Sequence, residues 1–251
     1  MKRIWLLLFL IPFSAVAADK LSIAAAANLI YALESLKAEF KKTEPATNVT
    51  VVTGASGNLV AQIQNGAPFD VFLSADVEYP EKLVSLGMAD ARSFTKFAVG
   101  RLVLWSTRPQ VDVSSVPRLV RDPKIQKIAV ASMTTAPYGK AAREALTKLG
   151  LWQEAESKIV IGENITQAAQ FVETGNADAG FVAMSLVLSP KLKDRGRWQE
   201  IDADLYSPLE QAAVITKKGE SNPAAARFLR FLRGPEARAI FERFGYRLPE
   251  P

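Results

Sequence analysis

Hydrophobic positions along the chain switch between two periods. Leu21 and Ile23 flank Ser22 at a spacing of two, as on a strand, whereas Leu29, Leu33, Leu36 and Phe40 recur at three and four and mark one face of a helix over about 28–41. The exchange then repeats. A β-branched run at 49–53 (VTVVT) precedes a short helix after Gly57 that carries Leu59 and Ile63 and stops at Gly66; 69–73 (FDVFL) reads as strand and 78–86 as a helix stopped by Gly87. Residues 96–105 form the longest strand-like run, followed by a segment punctuated by Pro109, Pro117 and Pro123.

Beyond that segment the rhythm restarts. Strand 128–131 leads to a helix at 140–149 closed by Gly150, strand 159–161 to a helix at about 166–174 closed by Gly175, and 179–183 reads as strand. Residues 209–216 form another apolar run, Asn222-Pro223 caps and opens a helix ending near Gly234, and Pro235 opens a last one to about Phe244. Alternating strands and helices predict an α/β protein with parallel sheets. Two such modules separated by the runs at 96–105 and 209–216 predict two lobes joined by two crossings: 19–98 with 208–251, and 99–207. A ligand is then expected in the cleft between them, where helix starts of both lobes face one another.

The first eighteen residues have a different character. Met1-Lys2-Arg3, an apolar run at 4–13 and the small residues Ala15-Val16-Ala17 before Ala18 and Asp19 have the pattern of a cleaved signal peptide, so an exported, periplasmic, soluble chain is expected. Loss of Lys2 and Arg3 lowers 31 basic residues to 29 against 26 acidic ones, a net of +3 and too mild to argue for nucleic acid.

The chain contains no histidine and no cysteine. That excludes imidazole or thiolate metal sites, Ser-His-Asp and Cys-His nucleophile systems, and disulfides. What remains is carboxylate chemistry, lysine chemistry, or binding without chemistry. Four helix starts share one composition: Asn28 after Ala24–Ala27, Ser56-Gly57, Tyr138-Gly139 after Ala136-Pro137, and Asn164-Ile165-Thr166. Each offers small or neutral polar residues with no carboxylate, and ordinary capping accounts for any one of them alone. Together, with about half a positive charge at each helix N-terminus, four would complement a dianion. Asp76 reads as the cap of the following helix rather than as a catalytic partner of Asp70. Arg227, Arg230 and Arg233 read as a solvated helix face.

The segments AAAANLIYALESL (24–36), TGASGNLVAQIQNGAPFDVFLSAD (53–76), APYGKAAREALTKLG (136–150) and ENITQAAQFVETGNADAGFVA (163–183), with the tail at 222–246, resemble the periplasmic molybdate-binding proteins of ABC transporters in order and spacing. The resemblance implies a type II periplasmic binding fold, two α/β lobes whose cleft closes over molybdate or tungstate, held as an oxyanion with no direct protein–metal ligand and no cofactor. It implies a side-chain and backbone donor at Asn28, a hydroxyl and amide at Ser56, a phenol donor at Tyr138, a backbone N–H at Ile165 and a backbone contact at Ala75. Ala27 stands where relatives often carry a hydroxyl residue, so it can contribute only its backbone N–H. The activity implied is capture and delivery to a membrane permease by a monomer, not catalysis. Two other readings stay open: a receptor for another anion such as sulfate or phosphate, and an exported hydrolase needing two carboxylates about 5–9.5 Å apart.

Overall fold

The computed structural model describes residues 19–249; the expected signal peptide at 1–18 lies outside the described residues. The chain begins with β1 (Lys20–Ala26), a 3-10 turn at Ala27–Leu29, and α1 (Ile30–Thr43), which buries Leu33, Leu36 and Phe40. β2 (Asn48–Gly54), α2 (Ser56–Gln64), β3 (Val71–Leu73), α3 (Glu78–Ser85) and β4 (Thr95–Gly100) follow. The long run expected at 96–105 is broken at Arg101, because β5 (Leu102–Ser106) belongs to a second sheet. Its continuous apolar character comes from two buried strands placed end to end. The division expected at 98/99 therefore falls inside β4.

The second lobe continues with α4 (Val116–Arg121), β6 (Ile128–Ala131), α5 (Pro137–Lys148), α6 (Trp152–Glu156), β7 (Ile159–Gly162), α7 (Ile165–Glu173), β8 (Ala179–Ala183), α8 (Met184–Val187) and β9 (Arg197–Glu200). The chain then returns through β10 (Leu209–Ile215) and ends in α9 (Pro223–Leu232) and α10 (Pro235–Arg243).

The two sheets run β2-β1-β3-β10-β4 and β7-β6-β8-β5-β9. In each, a parallel trio (β2-β1-β3, β7-β6-β8) is joined by one antiparallel strand, β10 or β5, that has crossed from the other lobe. The sheets are therefore mixed rather than purely parallel. The crossing strands must run back against their new neighbours because they enter each sheet from the hinge end. This is the two-lobe α/β architecture that the resemblance implies.

Parallel strands are covered on both faces, and β1, β3, β6 and β8 are almost wholly buried. The first lobe adds two groups of rings around α1, α9 and α10: Phe40 meets Phe228 edge-on at 5.1 Å, and Phe241 lies 5.2 Å from Phe97 and meets Tyr246 edge-on at 5.6 Å. Full burial of one such side chain contributes about 1.5–3 kcal/mol. The consequence for the site is rigidity in the strands that carry it.

Candidate ligand-binding site

β1 and β2 are parallel neighbours with Ala26 opposite Gly54, so the chain beyond them delivers Asn28 and Ser56 to the same edge of the first sheet. β6 and β7 are paired likewise, Ala131 opposite Gly162, and the chain beyond them leads to Tyr138 and Ile165. The two edges face each other across a small cavity. Ala27, Asn28, Ser56 and Ala75 line it from the first lobe and Tyr138 and Ile165 from the second, so the structure brings all six candidate residues together. No lining residue carries a charge.

The helix starts at this cavity are poorly capped. Ala26, Ala55 and Ala136 occupy the N-cap positions of the Ala27–Leu29 turn, α2 and α5 and supply no side-chain hydrogen bond, although alanine there costs about 1 kcal/mol relative to Ser, Asp or Asn. Asn164 does cap α7: its Oδ1 accepts from Thr166 N at 3.0 Å and Gln167 N at 3.1 Å. Ile165 N is left over. Among the described residues, no hydrogen-bond partner closes on the amides of Asn28, Ser56, Tyr138 or Ile165. Buried N–H groups without partners are costly, so their convergence calls for an acceptor-rich occupant.

The side chains contribute unequally. Ser56 Oγ accepts from Ala75 N at 3.1 Å, which leaves its own O–H free to donate. The Ala75 amide, expected as a direct contact, is thus spent on Ser56 and acts through it. The phenol of Tyr138 is turned toward the hinge: its oxygen accepts from Gln211 Nε2 at 3.4 Å and packs over Gly100, where a Cβ would overlap it. The donor Tyr138 offers at the helix start is its backbone N–H, not the expected phenol. Asn28 Nδ2 is engaged by Gln211 Oε1 at 3.1 Å and Tyr246 Oη at 2.9 Å, while Asn28 Oδ1 is buried with no partner. Burial pushes the Tyr138 and Tyr246 phenols above the ordinary tyrosine range, so both remain neutral hydroxyls.

Contacts across the cleft hold the lobes closed over the cavity. Gly57 N donates to Thr135 O at 2.8 Å, Thr166 Oγ1 to Ala27 O at 3.1 Å, and Ser185 Oγ to Asn28 O at 2.8 Å. Tyr79 Oη reaches Thr134 O at 3.2 Å, and Lys140 Nζ pairs with Glu78 Oε1 at 2.7 Å. Gly57 is required by this approach, since a Cβ there would lie 2.5 Å from Tyr79 Oη and 3.1 Å from Thr135 Cα. Ala27, without a hydroxyl of its own, has a hydroxyl brought to its carbonyl by Thr166 of the opposite lobe.

The two carboxylates considered for catalysis are separated by β3. Asp76, expected as the cap of α3, lies one residue before its N-cap Val77; it accepts from Tyr79 N at 3.2 Å and Ser74 Oγ at 2.8 Å, and burial raises its pKa. Asp70 Oδ2 accepts from Ser22 N at 2.7 Å at the other end of the strand. Arg227 of the α9 series pairs with Asp19 at 2.6 Å and with Glu44 at 3.0 Å. Gln211, Tyr246 and Ser185 were not legible as site residues, and Thr166 only as part of a helix start. Gln211 sits inside an apolar run, and Tyr246 is 218 residues from Asn28, so no local spacing announces either contact.

Residues 21–247 match the family of bacterial extracellular solute-binding proteins. The chain is 41% identical to the molybdate-binding protein ModA of Azotobacter vinelandii over 93% of its own length and 92% of the relative's. To the molybdate-binding protein ModA of Rhodobacter capsulatus it is 42% identical over 92% and 89%. The solved periplasmic molybdate-binding protein of Azotobacter vinelandii superposes with a TM-score of 0.86 at 37% identity, covering 92% of this chain and all of that one.

Proposed function

The chain belongs to the bacterial extracellular solute-binding proteins, and on that premise we propose that it captures molybdate in the cavity between its lobes. The observation that carries this reading is the meeting of four helix starts, with their unpartnered amides, at one cavity whose lining carries no charged side chain. Four N-termini at about half a charge each supply about +2, which matches a tetrahedral dianion. Hydrogen bonds to a charged acceptor contribute about 1.5–3 kcal/mol each, enough in number to replace the ion's water shell. Its relatives with 41% and 42% identity are named for molybdate.

Tungstate has the same charge and tetrahedral shape and is proposed as an alternative cargo. Asn28, Ser56, Tyr138 and Ile165 serve as the donors, Ala75 through Ser56, with Ala27 contributing backbone only. The protein works by binding and lobe closure rather than by catalysis. It acts in the periplasm as a monomer and hands the ion to the permease of an ABC transporter.

Thermal unfolding with molybdate, tungstate, sulfate and phosphate tests the assignment. A ligand at a hundred times its Kd stabilises by about 2.7 kcal/mol. The first two ions are expected to raise the melting temperature well above the last two. Equal shifts with all four, or none, would remove the proposal.

A further inference from the structure

Behind the cavity wall lies a buried polar cluster that joins both lobes. Asn28 Nδ2 donates to Gln211 Oε1 and to Tyr246 Oη, Gln211 Nε2 donates to Tyr138 Oη, and Tyr246 Oη and Ser185 Oγ donate to Asn28 O. In this sense of the two carboxamides, two groups lack partners among the described residues: Asn28 Oδ1 as an acceptor and the Tyr138 O–H as a donor. Asn28 and Tyr138 are both buried, so each unpartnered group is costly.

Turning both carboxamides over exchanges oxygen for nitrogen at each contact and repairs both faults. Gln211 Nε2 then donates to Asn28 Oδ1, Tyr138 Oη donates to Gln211 Oε1, and Tyr246 Oη can serve Asn28 Oδ1 while Ser185 keeps the main-chain carbonyl. The arm of Asn28 that was an unpartnered acceptor becomes an N–H₂ donor. Asn28 lines the cavity, so in one sense the arm left without a protein partner is an oxygen, which repels an oxyanion, and in the other it is a nitrogen, which binds one.

We infer that Gln211 is a positioning residue that sets which arm of the Asn28 carboxamide meets the oxyanion, presenting Nδ2 to the ligand when the pair turns over. The inference rests on the proposed oxyanion site. Gln211 lies on β10, the crossing strand, and touches residues of both lobes, so this choice is made where the lobes are joined.

Molybdate binding to the mature protein is measured by calorimetry for the parent, Gln211→Met, Asn28→Ala and the double variant. Gln211→Met is expected to weaken binding roughly tenfold in the parent and less than twofold in the Asn28→Ala background, because its effect passes through Asn28. A purely structural role would give equal factors in both backgrounds and would overturn the inference. A second measurement needs no variant to fold at position 211. The side-chain NH₂ resonances of Asn28, assigned by their loss in Asn28→Ala, are expected to shift downfield when the parent is saturated with molybdate. Unmoved resonances in a parent that binds molybdate would overturn this inference alone; a parent that binds no molybdate would overturn the functional reading with it.

Discussion

The two lobes share one strand order yet offer different groups to the cavity between them. In the first, Ser56 brings a hydroxyl and Asn28 a carboxamide to the cavity. In the second, the Tyr138 phenol faces the hinge and Asn164 is occupied with capping α7, so the lobe offers main-chain amides. The packing differs too. All five aromatic ring pairs among the described residues lie in the first lobe, around α1, α9 and α10. A repeated topology thus sets where helix starts point, while the chemistry presented there is free to differ. Side-chain donors can be removed by ordinary substitution; main-chain donors are removed by proline.

The contrast can be broken first through packing. Phe228 is fully buried among the rings of the first lobe, and Phe228→Ala is expected to cost about 3–5 kcal/mol of stability in denaturant titration, with molybdate affinity kept while the lobe is folded. If affinity falls as steeply as stability, packing and recognition are not separable in the first lobe.

Main-chain recognition in the second lobe is tested at Ile165, the first residue of α7. Proline is tolerated at that position, and Asn164 is already extended at φ −146° and ψ 177°, so Ile165→Pro removes the N–H with the helix retained. Binding is expected to weaken by about 1.5–3 kcal/mol, roughly ten- to a hundredfold, while Ile165→Ala stays near the parent. Equal losses for both would mean that the side chain, not the amide, is recognised. In the first lobe Ser56→Ala is expected to cost about 1–3 kcal/mol of binding free energy, since it deletes the donor and strands Ala75 N; an unchanged affinity would remove Ser56 from the site.

The smallest effect concerns the ion cluster that ties the lobes at the hinge. Glu200 of β9 accepts from Arg101 Nε at 2.7 Å and from Arg247 at 3.4 Å, and the Arg101 hydrogen bond holds its carboxyl below the usual glutamate range. A depressed carboxylate pKa stabilises the fold above the unfolded value of about 4.3, and that contribution is lost as pH falls through the lower folded value. Melting curves between pH 5 and 3 should show a loss of about 1 kcal/mol attributable to this group, absent in Glu200→Gln. A variant with the parent's acid limb would exclude Glu200 from the hinge's stability.

Much of the fold is local in origin and was legible. The helix face of Leu33, Leu36 and Phe40, the stops at Gly66, Gly87, Gly150 and Gly175, and the Asn222-Pro223 start all fall where spacing and backbone preference put them. Those four glycines adopt positive φ, a conformation that other residues rarely take. The short strand β9 was missed because its residues, Arg197 to Glu200, are mostly exposed and carry no alternation. The break at Arg101 was missed because two buried strands in different sheets read as one apolar run.

The sequence by itself determined the rhythm of strands and helices, the neutral composition of four helix starts and the absence of imidazole and thiol chemistry, because these depend on residues close in the chain. The tertiary structure alone decided which groups of those residues are left without a partner at the cavity. It turned the Tyr138 phenol away, spent the Ala75 amide on Ser56, and set Gln211 and Tyr246 behind Asn28 from 183 and 218 residues away. Hydrogen bonding in a buried site is a matter of who is within 3 Å, and no periodicity in a chain encodes neighbours that only folding brings together.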